Sequence, residues 1–170
     1  EGALVVDLEK EKLPLALIQK SDGASLYLTR DIANLIYRLE KYDPAKILYV
    51  VGNEQTLHFE QLFAIAKILG ITHTGLEHVK YGLVLGEDKK KLSTRKGKIV
   101  SLEGMLADVT VAAKKVVEEK NPNLTESEKN EIAEVVGIGA LKYHDLKEHR
   151  NSDIIFDPEG MVDFRGNSGP

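Results

Sequence analysis

The feature of this 170-residue sequence that most restricts its fold is an alternation of apolar runs and amphipathic stretches in its first half. The run Lys46 to Val51 (KILYVV) ends before Gly52 and is typical of a strand covered on both faces. Around it, apolar residues recur every three or four positions, which predicts helices from about Thr29 to Tyr42 and from about Thr56 to Leu69. Glu77 to Leu85 predicts the next strand. This order is typical of a parallel α/β sheet, in which ligands bind beyond the carboxyl ends of the strands.

Two shorter segments precede this pattern, and helices follow it. Ala3 to Leu8 and Leu15 to Lys20 are apolar runs that predict two strands, with a hairpin as one arrangement. Ser101 predicts the cap of a helix that runs to about residue 120. Thr125 to Glu128 has the spacing of a capping box and predicts another helix to about residue 149. Ser152 to Phe156 predicts a short strand, so an α/β part is followed by a mainly helical part.

Composition excludes several classes of protein. The chain has no cysteine, which rules out a disulfide scaffold and a thiolate metal site. The net charge of -4 argues against nonspecific coating of nucleic acid, although a local basic patch is compatible with it. No apolar run approaches the roughly 18 residues of a membrane span, and the first residues lack the pattern of a secretory signal. We therefore expect a cytoplasmic location and no membrane partner.

The first candidate for chemistry is the basic segment Lys91 to Gly97 (KLSTRKG). Small and hydroxyl residues between cations let backbone amides, the Ser93 hydroxyl and long positive side chains converge on a polyphosphate. The segment lacks the spacing of a P-loop, which argues against a P-loop NTPase. From the charge pattern alone, a solvated surface loop is the alternative.

The second candidate is the pair Tyr27 and Asp31, near the start of the first predicted helix. Residues four apart share a helix face, so the phenol and the carboxylate can point at one ligand. A carboxylate beside a hydroxyl suits a planar cation such as guanidinium, which offers paired donors to paired oxygens. In the alternative interpretation, Asp31 favours the helix dipole and Tyr27 belongs to the core.

The third candidate is Gly52 to His58 (GNEQTLH), at a strand-to-helix junction of the kind where ligand-binding loops lie. Gln55 can orient the polar end of an amino acid, and His58 can reach a ribose hydroxyl. In the alternative, Asn53 or Thr56 caps the helix and His58 is an ordinary half-buried histidine. The other histidines lack the spacing of a zinc site, so no metal held by the protein is expected.

In this order, the three candidates resemble the class I aminoacyl-tRNA synthetases, and closely resemble the arginyl-tRNA synthetase family. The similar stretches are Ile18 to Asp31, Gln55 to His58, Lys91 to Gly97 and Phe164 to Pro170. The resemblance implies an α/β fold: the second half of a Rossmann-like, parallel-sheet catalytic domain in residues 1–100. It implies a mainly helical stem-contact region in residues 101–170, which leads to an anticodon-binding domain outside this sequence.

The resemblance also implies an activity and an amino-acid site. Members of the family use ATP to activate arginine as arginyl-adenylate and then transfer it to tRNA(Arg). On this likeness, Tyr27 and Asp31 bind the guanidinium group and Gln55 holds the amino-acid backbone. His58 would lie at the ATP ribose.

The same likeness assigns the rest of the ATP site. Adenine would border the backbone of Gly82, Leu83 and Val84. The basic segment is similar to the family's Lys-Met-Ser-Lys-Ser signature, whose charge stabilises the pyrophosphate leaving group, with Mg2+ expected on the phosphates. Its catalytic residues would be Lys91, Ser93 and Arg95, and Thr94 joins them in contacting ATP. Thr94 stands where the signature has its second lysine, so the missing charge would come from elsewhere.

Two further features predict an incomplete enzyme. The class signature His-x-Gly-His does not occur, and the likeness places it in the first half of the nucleotide-binding fold. The chain also starts at Glu1 without methionine and stops at Pro170 after a polar turn. We therefore expect a piece of a larger, monomeric enzyme, and we expect that this piece cannot activate arginine by itself.

Two other functions stay open from the sequence. One is a noncatalytic module that binds tRNA or a partner protein through the helices after Ser101. The other is a different α/β nucleotidyltransferase that uses the basic segment on another substrate. Arginine-dependent exchange of pyrophosphate into ATP distinguishes these functions from arginine activation.

Overall fold

In the computed structural model of this chain, which describes residues 2–86, 89, 101–165 and 167–170, the first two strands pair antiparallel. They are β1 (Leu4–Val6) and β2 (Ala16–Gln19), and a short 3-10 turn at Glu9–Glu11 lies between them. The two predicted strands and their hairpin arrangement are confirmed. Both belong to the first of two compact units, Glu1–Tyr81; the second unit is Gly82–Pro170.

Helix α1 (Tyr27–Tyr42) begins two residues before the start that periodicity predicts. Its first turn is tied to β2, because the hydroxyl of Thr29 donates a hydrogen bond to the carbonyl of Ile18. Apolar residues spaced three and four apart face inward, and Leu35 is fully enclosed. The helix ends at Asp43, whose positive φ of 42° takes the backbone out of the helix before a proline.

Strands β3 (Lys46–Gly52) and β4 (Gly75–Tyr81) pair in parallel, and helix α2 (Thr56–Ile68) lies between them in the sequence. Alternate residues of β3 enter the core, and Tyr49 is only 9% exposed. On the opposite face, Leu48 and Val50 are 55% and 64% exposed. The sequence predicts that both faces of this strand are covered. Among the residues that the structure describes, only the face that carries Tyr49 is covered.

The core of the first unit lies where α1 and α2 pack on the inner face of β3. Its buried members are Leu8, Ala16, Leu28, Leu35, Ile47, Tyr49, Phe59, Leu62, Ile65 and Ala66. Most of these side chains are bulky, so the sheet and helices pack through large aliphatic and aromatic groups.

The second unit is mainly helical. Helix α3 (Leu102–Lys120) packs against helix α4 (Glu126–Lys147), and a short helix α5 (Pro158–Met161) contacts both. Two short strands, β5 (Val84–Leu85) and β6 (Ile154–Ile155), pair in parallel. None of the described helices is long and apolar enough to cross a membrane.

Both predicted helix caps of the second unit are present. The hydroxyl of Ser101 accepts a hydrogen bond from the amide of Gly104 at 3.1 Å. At the start of α4, the amide of Glu128 donates to the hydroxyl of Thr125, and the Glu128 carboxylate accepts from the Thr125 amide at 2.9 Å. Each contact satisfies an amide that the first turn of a helix leaves without an intrahelical partner.

The prediction of one continuous strand from Glu77 to Leu85 is wrong, because the structure has two separate strands there. The predicted strand divides at Gly82, whose amide donates to the carbonyl of Arg150 at 2.8 Å, so that β4 pairs with β3 and β5 pairs with β6. In the described residues the strands form three two-stranded sheets. The compact units divide after residue 81, whereas the functional division near residue 100 stays a prediction.

Candidate functional site

One cleft in the first unit brings together polar residues from two distant segments of the sequence. It has a volume of about 540 Å³ and lies among α1, the carboxyl half of β3 and the start of α2. Its lining residues are Tyr27, Asp31, Arg38, Tyr49, Val51, Gln55, His58 and Phe59. The second and third candidates from the sequence therefore converge on one cavity, at the end of a parallel strand where a ligand site is expected.

Asp31 and His58 form the central polar contact of the cleft. Nε2 of His58 lies 2.7 Å from Oδ2 of Asp31. Because a carboxylate only accepts hydrogen bonds, Nε2 carries the hydrogen in this bond. The side chain of Asp31 is 38% exposed and that of His58 is 20% exposed. The carboxylate thus stays accessible, and the more enclosed imidazole lies behind it.

The two structural alternatives for the α1 residues are wrong. Tyr27 is 81% exposed, so it does not belong to the core, and its ring lies at the rim of the cleft. The first turn of α1 holds no acidic residue, because Asp31 lies one turn further along the helix. A simple interaction with the helix dipole therefore does not account for Asp31, since that effect is confined to the first turn.

The loop that follows β3 does not match the alternative interpretation, in which Asn53 or Thr56 caps α2. A 3-10 turn at Asn53–Gln55 precedes α2, and Gln55, not Asn53 or Thr56, is the residue that caps α2. The Gln55 side chain makes no capping hydrogen bond, and the Thr56 hydroxyl donates to the Asn53 carbonyl at 2.6 Å. The side-chain amide of Gln55 therefore makes no hydrogen bond that caps α2.

Four lining residues were not predicted from the sequence: Arg38, Tyr49, Val51 and Phe59. Two periodicities could have found most of them. Arg38 lies seven residues after Asp31, which is two turns along the same face of α1. Tyr49 and Val51 share the inward face of β3, because strand residues two apart lie on one face.

The inner wall of the cleft combines an aromatic ring with a positive charge. The guanidinium of Arg38 lies 5.7 Å from the centre of the Tyr49 ring. The Tyr49 hydroxyl is buried without a hydrogen-bond partner among the described residues. Burial raises the pKa of the Tyr49 phenol, the charge of Arg38 opposes this effect, and Asp31 adds to it. The phenol is therefore neutral at ordinary pH, and Asp31 is the one carboxylate among the lining residues named above.

The remaining predicted residues belong either to the second unit or to the part of the chain that the structure does not describe. Gly82, Leu83 and Val84 begin the second unit, where the amide of Leu83 donates to Oδ1 of Asp153 at 2.7 Å and Val84 pairs with a residue of β6. The predicted phosphate-contacting residues, which are Lys91, Ser93, Thr94 and Arg95, lie outside the described residues. Within the described ranges, no group of three or more histidine or acidic side chains is arranged to hold a metal ion.

Comparison with known proteins defines the class to which this fold and cleft belong. Residues 1–158 match the family model described as "tRNA synthetases class I (R), catalytic domain". The chain therefore belongs to the family of class I tRNA synthetase catalytic domains, and the resemblance seen in the sequence is confirmed.

Two individual relatives are named for arginine. A protein named arginine–tRNA ligase from Exiguobacterium sibiricum is 53% identical over 171 residues, covering 100% of this chain and 30% of the relative. The crystal structure of arginyl-tRNA synthetase from Plasmodium falciparum is similar with a TM-score of 0.73 and 30% identity, covering 99% of this chain and 28% of that one.

A third comparison bears on the fold alone. Arginyl-tRNA synthetase from Thermus thermophilus is similar with a TM-score of 0.74 at 24% identity, covering 99% of this chain and 33% of that one. The predicted α/β, Rossmann-like fold followed by helices is confirmed. The chain spans about 30% of the length of the curated relatives it matches.

Proposed function

We propose that these residues form part of an arginine–tRNA ligase, which activates arginine with ATP and transfers it to tRNA(Arg), and that the cleft binds the arginine side chain. The observation that carries the proposal is the convergence of Tyr27, Asp31 and Gln55 on one cleft. A guanidinium group is flat and offers paired N–H donors, which match the paired oxygens of a carboxylate. Asp31 would supply that carboxylate, with one side accessible from the cleft.

The other walls of the cleft support the same ligand. The Tyr27 hydroxyl at the rim would accept a further hydrogen bond from the guanidinium, and the Gln55 amide would hold the amino-acid backbone. The rings of Tyr49 and Phe59 line the cleft and lie 5.0 Å apart between centroids. Aromatic faces are favourable surfaces for a flat cation.

The nucleotide end of the reaction rests on sequence likeness. We propose that Lys91, Ser93, Thr94 and Arg95 stabilise the negative charge that develops on pyrophosphate. Mg2+ would enter on the phosphates of ATP, as part of the substrate. Since the amides of Gly82 and Leu83 are engaged within the second unit, adenine would meet the remaining backbone groups of residues 82–84.

The rest of the proposal concerns the whole enzyme. The helices after Ser101 would contact tRNA, the full-length protein would act as a monomer in the cytoplasm, and the 170 residues alone would not activate arginine. These statements are predictions from the likeness to arginine–tRNA ligases.

The test is arginine-dependent exchange of pyrophosphate into ATP, measured with tRNA present in the full-length protein that contains these residues. Asp31→Ala removes the one carboxylate among the lining residues of the cleft. We expect the KM for arginine to rise by an amount equivalent to roughly 2 to 5 kcal/mol, because the partner of a buried cation is deleted.

The matched control is Glu40→Ala, which removes the same charge from an exposed position of the same helix that does not line the cleft. We expect this variant to keep the arginine KM of the parent. Exchange that survives Asp31→Ala at low arginine concentration would contradict the guanidinium assignment, and a parent without arginine-dependent exchange would contradict the activity itself.

A further inference from the structure

The bond between His58 and Asp31 has a geometry suited to holding the carboxylate in place. At 2.7 Å from nitrogen to oxygen, it lies at the short end of charge-assisted hydrogen bonds. It joins α1 to the first turn of α2, across 27 residues of sequence. Among the described residues, it is the contact that the structure gives to the Asp31 carboxylate.

The imidazole is the better anchored of the two partners. The His58 ring packs edge-on against Phe59, with 5.1 Å between centroids, and Phe59 is itself only 5% exposed. Behind Phe59 lies the ring of His78, at 4.4 Å, whose Nε2 bonds to the Val51 carbonyl at 2.9 Å. Contact with Phe59 and partial burial restrict the His58 ring, whereas the terminal torsion of an aspartate side chain stays broad until a bond restricts it.

The bond also leaves the carboxylate able to accept a guanidinium. An ionised carboxylate has about four acceptor positions on its two oxygens, and His58 uses one of them on Oδ2. The other charged or titratable groups that line the cleft are Tyr27, Arg38 and Tyr49. Tyr49 is neutral, and Arg38 lies over the Tyr49 ring, so neither takes the place of His58 beside Asp31.

We propose that His58 is a positioning residue for amino-acid recognition: its Nε2–H···Oδ2 bond fixes the Asp31 carboxylate in the orientation that receives the guanidinium group of arginine. This inference rests on the proposed function and deepens it. It is distinct from the role at the ATP ribose that sequence likeness gives to His58, because it uses Nε2, whereas a ribose contact would use the other ring nitrogen, Nδ1.

The experiment compares His58→Leu with His58→Gln in the full-length protein that contains these residues. Both replacements fill space in a position where the ring is 20% exposed, but only glutamine offers an N–H donor to Asp31. The measured quantities are the KM for arginine, the KM for ATP and kcat, from pyrophosphate exchange with tRNA present.

We expect His58→Leu to raise the KM for arginine roughly tenfold, by analogy with metal sites, where loss of the partner that orients a ligand costs about 10- to 100-fold. The KM for ATP should stay within about twofold. His58→Gln should recover most of the arginine KM. In a background of Asp31→Asn, the leucine replacement should add little, because residues that act through one another are not additive.

The inference would be overturned by a rise in the KM for ATP with the arginine KM unchanged, by equal defects in the leucine and glutamine variants, or by additive effects of His58→Leu and Asp31→Asn. If the leucine variant fails to fold, the test rests on the glutamine variant. Its N–H donor should keep the KM for arginine near that of the parent, and a large rise would overturn the inference. If Asp31→Ala raises the KM for arginine and His58→Leu does not, the result overturns this inference and leaves the proposed function intact. A parent without arginine-dependent exchange overturns the proposed function together with it.

Discussion

The two units of the molecule solve the packing problem in opposite ways. In the first unit, large side chains such as Phe59, Leu62 and Tyr49 fill the space between helices and sheet. In the second unit, four of the eight residues in the buried cluster are alanine, and Gly137 of α4 lies against the backbone of α3. Bulky side chains hold elements apart, while small ones let two helices approach closely.

The difference extends to the polar groups. In the second unit, the hydrogen bonds of Ser101 and Thr125 satisfy the ends of helices. In the first unit, the bond between Asp31 and His58 joins two helices inside a cleft. The first unit thus combines large core residues with an open cleft, whereas the second combines capped helix ends with closely packed helices.

The largest expected effect comes from removing volume in the first unit. Leu62 of α2 is fully buried, so Leu62→Ala leaves a cavity and should lower the free energy of unfolding by about 3 kcal/mol. Leu57→Ala, in the same helix at a position that is 47% exposed, should change it by no more than about 0.5 kcal/mol. Urea denaturation followed by circular dichroism measures both. Equal effects would contradict packing by large residues.

The next effect comes from adding volume in the second unit. A Cβ atom at Gly137 would lie 2.8 Å from the Val109 carbonyl oxygen and 3.0 Å from the Cα of Thr110. Gly137→Ala should therefore lower the free energy of unfolding by about 1 kcal/mol, because overpacking outweighs the gain in helix propensity. At Gly139 a Cβ atom meets nothing within 4 Å, so Gly139→Ala should stabilise the chain by about 0.5 to 1 kcal/mol. If alanine stabilises the chain at both positions, close approach of α3 and α4 does not distinguish the packing of the second unit from that of the first.

The smallest effect concerns the cap of α4 and depends on pH. The amide of Thr125 bonds to the Glu128 carboxylate and lowers its pKa in the folded chain, with the Thr125 hydroxyl adding to this. The stabilisation is therefore complete above the pKa of an unfolded glutamate, near 4.3, and is lost as the pH falls through the lower folded value. The difference in unfolding free energy between the parent and Glu128→Gln should vanish in acid.

The control for this titration is Glu131→Gln, at an exposed position of the same helix. It should give no difference that disappears on acidification. Denaturation curves collected from pH 7 down to about pH 3 provide the comparison. A Glu128→Gln variant whose stability tracks the parent at every pH would show that the charge of the capping carboxylate contributes nothing.

Local sequence patterns predicted the elements of the fold well, and long-range contacts set the exceptions. Periodicity placed α1 and α2 within two residues of their observed starts, and hydroxyl and carboxylate spacing located the caps. The break at Gly82 could not be predicted, because it depends on the carbonyl of Arg150, far away in the chain. The two extra residues at the start of α1 precede Thr29, whose hydroxyl bonds to the carbonyl of Ile18 in β2, a contact that local periodicity does not show.

The site was predictable where one element carries the whole pattern. Tyr27 and Asp31 share a helix face, and their spacing alone placed them on one side of α1. The bond partner of Asp31 could not be predicted in this way. His58 reaches Asp31 only after α1 and α2 pack together, so no local pattern reveals the contact. The structure brings Tyr27, Asp31, Gln55 and His58 to one cleft, and their roles stay predictions. The contact between Asp31 and His58 could be seen only in the three-dimensional structure.

The uncovered face of β3 has a practical consequence. Leu48 and Val50 point outward from a sheet in which, among described residues, β3 pairs only with β4. A charged pair, Lys46 and Glu77 at 2.5 Å, lies at one end of that sheet. At high concentration, an exposed apolar face of this kind favours association of these 170 residues with other molecules, because burying it removes apolar surface from water. Charged replacements at Leu48 and Val50 would keep such preparations dispersed.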